Sequence, residues 1–228
     1  QNGNLVTISM DDSLKISPID SHTWGDRIAL DLQPNGLAVG KTQTNLVLVT
    51  GGQEALVIRG GKIVTREALK YAPSCIALSV DETEVAIGGK DNKIHLYTLD
   101  GDKLVAKKDL EKHRGEITDL QYSPDGQYLA SADSNRELLY WQNGEVKVSG
   151  WVFHTARIQA IAWHPSSQYI ASSSTDASTI IWKLGSSTPA VTIKQCHPGG
   201  VTKVTWVGDN TLLTGGQDCC LKSWDVKL

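Results

Sequence analysis

"HTARIQAIAWHPSSQYIASSSTDASTIIW", residues 154–182, holds an imidazole, a cluster of serines, an aspartate and an indole. Read once, His154, Ser172 and Asp176 are the ingredients of a nucleophilic hydrolase. Whether they carry chemistry or hold a fold together depends on how often the pattern occurs.

It recurs. His113, His154 and His197 each stand four residues before a β-branched residue (Ile117, Ile158, Val201), at separations of 41 and 43. Tyr122, Trp163 and Trp206 follow with the same separations. A further column is Asp91, Asn135, Asp176 and Asp218, spaced 44, 41 and 42. Six residues after each comes Tyr97, Trp141, Trp182 or Trp224, and Asp11 lies two periods before Asp91. A period near 42 without helical periodicity predicts one four-stranded sheet per repeat. "ITDLQYS", "YLASAD", "ELLYW" and "EVKVSGWVF" are four short apolar-rich runs, with turn material such as "SPDG" and "DSNR" between runs. A small sheet with two apolar faces cannot cover both itself. Radial stacking of such sheets buries each face against a neighbour.

Composition agrees. The chain has 228 residues, with 21 glycines and 7 tryptophans against one Phe and one Met. That favours short strands and tight turns over helices. A net charge of -3 gives no global drive toward nucleic acid or an anionic membrane. No apolar run is long enough for a membrane helix, and the opening "QNGNLVTISMDD" has no signal-peptide pattern. Cys75, Cys196, Cys219 and Cys220 have no zinc-site spacing and read as reduced thiols of a cytosolic protein. If Cys219 and Cys220 lie on a strand, they point to opposite faces.

These residues resemble the WD-repeat family of β-propellers. "DCCLKSWD" supplies the Trp-Asp end of a repeat, with "STIIWKL" and "ELLYWQN" as variants. The histidines match the family's Gly-His position, although the glycine is absent. The resemblance implies a buried hydrogen-bond chain of His, strand hydroxyl, turn acid and Trp in each blade. Two sets are complete: His154, Ser172, Asp176, Trp182, and His197, Thr214, Asp218, Trp224. A third is His113, Ser131, Asn135, Trp141, with Asn in place of Asp, and the preceding blade keeps only Asp91 and Tyr97. A catalytic set appears once, at a concave site. A set that recurs with the structural period, and without a GxSxG elbow, reads as structure. No enzyme activity, cofactor or metal is expected.

The fold expected is an all-β propeller of four-stranded blades, incomplete, with about five to six blades of a seven-bladed whole. The approximate blades are 1–33, 34–72, 73–113, 114–154, 155–197 and 198–228. The first lacks an innermost strand and the last an outer one. With Gln1 as its first residue, the chain reads as a fragment that is marginally stable or self-associating alone.

"MDDSLK", "LDLQPNGLAVG", "VAIGGKDNKIHLY", "HRGEITDLQYSPDGQYLASAD", "WVFHTARIQAIAW" and "DNTLLTGGQDCCLKSWDVKL" resemble, in order, the C-terminal propeller of the actin-interacting protein 1 family. That resemblance implies a cytoplasmic, cytoskeletal interaction protein with two propellers. Its partners would be actin filaments, cofilin and the N-terminal propeller of the same protein, and its action cofilin-dependent filament disassembly. The alternative is a WD-repeat scaffold of an unrelated complex, in ubiquitin ligation or signalling. Arg114, Arg136 and Arg157 fall in loops near the histidine and aspartate columns and are the candidate partner-binding residues. Trp151 and Phe153 read as packing between blades. "GGQEALVIRGGK" and "IGGKDNK" do not fit a phosphate loop and read as turns. "DD" at 11–12 and "DET" at 81–83 read as turn acids, and "KLVAKKDLEKHR" and "KIVTREALK" as solvated outer strands.

Overall fold

A computed structural model describes residues 3–21, 23, 25–40 and 46–228. Gln1, the first residue of the sequence reading, lies outside them. The described residues form 22 strands and no α-helix. The chain divides into two compact units, residues 1–109 and 110–228.

The first unit carries three antiparallel sheets. The first contains β1 (Asn4–Ser9), β2 (Ser13–Pro18) and β3 (Arg27–Ala29). The second contains β4 (Pro34–Val39), β5 (Leu46–Gly51), β6 (Glu54–Arg59) and β7 (Lys62–Ala68). The third contains β8 (Pro73–Leu78), β9 (Glu84–Gly89), β10 (Ile94–Asp100) and β11 (Lys103–Leu110). Strand β5 shows how sequence builds the core. Its residues are buried throughout, as a strand with two covered faces must be. Val47 and Val49 pack with Leu14, Leu30, Leu56 and Ile58. Leu46 and Leu48 point the other way, to Ile76, Val85 and Ile87. The outer strand of the first sheet is short, Arg27–Ala29, after which the Leu30 amide donates to Asp12 O. Arginines tie the sheets together from outside. Arg66 reaches Leu30 O at 2.8 Å, and Arg59 pairs with Asp102 while donating to Gly101 O at 3.0 Å.

The second unit repeats the plan. Its first sheet contains β12 (Ile117–Tyr122), β13 (Leu129–Asp133), β14 (Leu138–Gln142) and β15 (Glu145–Trp151). Next come β16 (Ile158–Trp163), β17 (Tyr169–Ser174), β18 (Thr179–Lys183) and β19 (Pro189–Ile193). The last sheet has β20 (Val201–Val207), β21 (Thr211–Gly216) and β22 (Leu221–Asp225). Each sheet is a simple meander in which sequential strands pair. The innermost strands β12, β16 and β20 lie against one another in order.

Polar bonds reinforce these contacts. Asp119 Oδ2 accepts from the Ile161 amide at 2.9 Å. Gln121 Oε1 accepts from the Trp163 amide at 2.7 Å, and Trp163 Nε1 donates to Gln121 O at 2.9 Å. His164 bonds Asp209 O at 2.8 Å and meets Trp206 edge-on. Trp163 and Trp206 belong to a repeat column, but Asp119, Gln121 and His164 do not, so the columns show the aromatic ends of these links and not their partners. The outer strands β7 and β11 alternate or expose most of their residues, as expected of solvated edges.

A candidate partner-binding face and its buried struts

The tight turn between the second and third strands of the last four sheets is set by backbone chemistry. Asn92, Arg136, Ala177 and Cys219 all sit in the left-handed region, with φ of 68°, 71°, 65° and 58°. The residue before each is the turn acid or its Asn substitute. In the β16–β19 sheet Asp176 accepts from the Ser178 amide at 2.9 Å, the bond of an Asx turn.

The loop leading into each innermost strand of the second unit delivers a histidine to that turn. His154 Nδ1 lies 3.0 Å from Asp176 Oδ2, and its Nε2 lies 2.8 Å from Ser172 Oγ. Trp182 Nε1 donates to the same hydroxyl oxygen at 2.8 Å. In the last sheet His197 Nδ1 is 2.7 Å from Asp218, its Nε2 is 2.8 Å from Thr214 Oγ1, and Trp224 Nε1 donates to Thr214 at 2.8 Å. An indole N–H can only donate, so the hydroxyl oxygen accepts from it. The hydroxyl proton then goes to imidazole Nε2, and Nδ1–H donates to the carboxylate.

That order of groups is the order of a catalytic triad. The setting differs. His154 and Ser172 are 1% and 0% exposed, and the far side of the hydroxyl is closed by the indole.

The β12–β15 sheet corrects one expectation. His113 Nε2 meets Ser131 Oγ at 2.6 Å, and Trp141 donates to Ser131 at 2.8 Å. The partner of His113 Nδ1 is Asp133, at 3.1 Å, and not Asn135, which is exposed. The acid has moved from the turn to the end of the strand. In the other two sheets of this unit that position is Ser174 or Gly216, and a Cβ on Gly216 would stand 2.2 Å from the His197 ring. Asp133 fills this position in the β12–β15 sheet and meets His113 from there.

The third sheet was expected to keep only Asp91 and Tyr97. It holds a different network. His95, on β10, bonds Asp109 at 2.8 Å through Nδ1 and Asp91 at 3.2 Å through Nε2. Its ring stacks on Tyr71 with centroids 3.5 Å apart, and the Tyr71 and Tyr97 hydroxyls are 3.0 Å apart. Burial drives both phenols to titrate above the ordinary range, so they stay neutral. Nothing in the repeat columns pointed to Tyr71, His95 or Asp109.

The acids of the struts are ionised. Burial pushes the Asp176 carboxyl up, but hydrogen bonds from His154, Ser178 and the Thr155 amide outweigh it and hold it well below the usual range. Asp133 is likewise held down, against its burial, by His113 and by the Glu137 and Asn135 amides. Asp119 goes the other way, raised by burial.

Arg114, Arg136 and Arg157 are all exposed. A Cβ on Gly115, beside Arg114, would touch Ser134 and Asn135, which places the Arg114 loop on the Arg136 turn. Arg157 Nη1 lies 4.0 Å from Glu116 of the neighbouring sheet. The three cations therefore lie on the loop side where the histidines enter. Phe153, half-exposed, packs edge-on against Trp182 on that same loop, whereas Trp151 is buried and stacked on Trp182 at 4.9 Å. Cys75 and Cys196 are buried, and Cys219 and Cys220 are exposed. The strand geometry expected for the last two does not apply, because they occupy the turn before β22 and Cys219 is left-handed.

The model of the family described as "WD domain, G-beta repeat" matches residues 104–142, 146–183 and 188–225. Each match begins on an outer strand (β11, β15, β19) and ends on the tryptophan strand of the next sheet. These are the three repeats with a full His, hydroxyl, acid and indole set. The chain is 38% identical, over its whole length, to a 66 kDa stress protein of Physarum polycephalum. It is 35% identical over 98% of its length to actin-interacting protein 1 of Drosophila melanogaster. Over 96% it is 36% identical to actin-interacting protein 1-2 of Arabidopsis thaliana. It spans 37–38% of the length of these relatives.

Proposed function

The chain belongs to the WD domain, G-beta repeat family, and from that premise we propose that it is a non-catalytic interaction module of the actin cytoskeleton. In this reading residues 1–228 are part of the second propeller of a two-propeller protein, and the six sheets are six of its blades. The protein acts in the cytoplasm on actin filaments together with cofilin and promotes their disassembly. The observation that carries the reading is the similarity, over nearly the full chain, to proteins named actin-interacting protein 1 in an insect and a plant.

The sealed struts support the non-catalytic part. With His154, Ser172 and Asp176 occupied by one another and by Trp182, the chemistry left to solvent is that of loops. Recognition then falls to the face bearing Arg114, Arg136 and Arg157, where guanidinium forks suit an acidic filament.

Co-sedimentation with filamentous actin tests this, using the longest natural chain that contains these residues, with and without cofilin. Binding that strengthens with cofilin is expected, and binding indifferent to cofilin overturns the reading. Reversal of all three arginines to Glu should weaken binding by about tenfold or more, roughly 1.4 kcal/mol, without lowering the melting temperature. An unchanged affinity removes this face from the proposal.

A further inference from the structure

One turn of the second unit carries a group that the hydrogen-bond struts leave unused. In the β16–β19 sheet the residue just before β18 is Ser178. Its hydroxyl lies 3.1 Å from His154 Nδ1 and donates to Asp176 Oδ1 at 2.5 Å. A side chain at this register therefore reaches the imidazole. The matching residue before β14 is Glu137. One donor atom from each of His113, Asp133 and Glu137 lies within 4.8 Å of the others. The Glu137 amide donates to Asp133 Oδ1 at 2.8 Å, but among the described residues its carboxylate has neither a hydrogen bond nor an ion pair. His113 and Asp133 have fully buried side chains, while Glu137 is partly exposed and opens the cluster to solvent. Two carboxylates thus flank a ring nitrogen whose single proton can serve only one of them.

We propose that His113 Nδ1, Asp133 and Glu137 form a binding site for a divalent first-row transition cation of the zinc class. One imidazole nitrogen and two carboxylates favour zinc over magnesium or calcium, which avoid nitrogen ligands. Three protein ligands leave a fourth position for water on the Glu137 side. The His113 Nε2 contact with Ser131 Oγ, at 2.6 Å, is the kind of outer bond that aims a ligating histidine. On binding, the Nδ1–H bond breaks and an Nδ1–metal bond forms. The proton passes to Nε2 and is donated to Ser131 Oγ, whose own hydroxyl proton turns away from the ring toward the paired strand, as the Ser172 hydroxyl can toward Ile180 O at 3.4 Å, so the ring stays neutral. The cation neutralises the carboxylate that has no partner. The equivalent turns lack the third ligand: Ser178 holds the place in one, and in the other Cys220 is exposed and contacts Asp218 through its amide.

The test uses the whole chain with Cys219→Ser and Cys220→Ser, so that exposed thiols do not compete. After chelation it is titrated with zinc by calorimetry and with cobalt by visible absorption. One equivalent is expected to bind, with tetrahedral cobalt bands and no thiolate charge-transfer band. Glu137→Gln should weaken binding by about tenfold or more and leave the melting temperature in chelator unchanged. No binding by the parent, or equal binding by parent and Glu137→Gln, overturns the proposal.

Discussion

Trp182 donates its indole N–H to Ser172 Oγ at 2.8 Å, and that bond decides how the serine is to be understood. A nucleophilic hydroxyl needs a free face toward substrate. This one has an indole on one side and an imidazole on the other, and no exposed surface. Removing the hydroxyl strands both ring nitrogens. Ser172→Ala should destabilise the chain by about 1–3 kcal/mol for each group left unsatisfied, read as a drop in the urea midpoint. The parent should not be labelled by a serine-directed fluorophosphonate; labelling lost in Ser172→Ala would refute the strut assignment.

Asp133 and Asn135 are two residues apart and have unequal roles. Asp133 is buried against His113, whereas Asn135 is exposed. Asp133→Ala leaves a buried imidazole N–H without its acceptor and should lower stability by about 1–3 kcal/mol. Asn135→Ala should stay within about 0.5 kcal/mol. Denaturation of the two variants side by side checks this, and the reverse ranking would return the acid's role to the turn.

Acid should weaken the second unit. Asp133 and Asp176 titrate below their ordinary range in the folded protein, so near pH 4 the unfolded chain binds more protons than the native one. Their contribution is complete above the unfolded value of about 3.9. It is lost as pH falls through the native values. Melting temperature should therefore decline below about pH 4, and Asp176→Asn should decline less steeply from a lower starting point. Parallel curves for parent and variant would show that Asp176 is not among the groups responsible.

Gly215 and Gly216 are neighbours with different surroundings. A Cβ on Gly216 would stand 2.2 Å from His197 Cγ, whereas on Gly215 it would meet only Thr202 Oγ1 at 3.9 Å. Gly216→Ala must push the ring off Thr214 or Asp218 and should lower stability by about 1–3 kcal/mol, the usual range for overpacking. Gly215→Ala should change it by under about 1 kcal/mol. Thermal melts distinguish them.

Much of this was legible in the amino-acid order. The 41- and 43-residue spacing of His113, His154 and His197 fixed one sheet per period, because a strut needs each member at one register of one strand. What escaped were places where another residue performs the task from elsewhere. Asp133 reaches the imidazole from a strand end, so a column built on turn positions lands on Asn135 instead. The His95 and Tyr71 stack rests on a contact between residues 24 apart that no other repeat possesses among the described residues. Cys219 and Cys220 lie in the turn that follows the acid Asp218, and the left-handed backbone of Cys219 removes the alternation that a strand would have imposed on them. Glu137 was silent for a different reason: its significance depends on which ring lies opposite.

The family matches start on β11, β15 and β19, one strand ahead of the sheets those segments mostly build. The stretch that is duplicated is therefore not the stretch that packs. Deleting one duplicated segment would strip the rim from one layer and the heart from the next, damaging two neighbours at once. A genetic insertion or a protease site would be borne best in turns clear of the struts, such as residues 143–144 and 187–188, where no ladder is severed and no histidine is displaced.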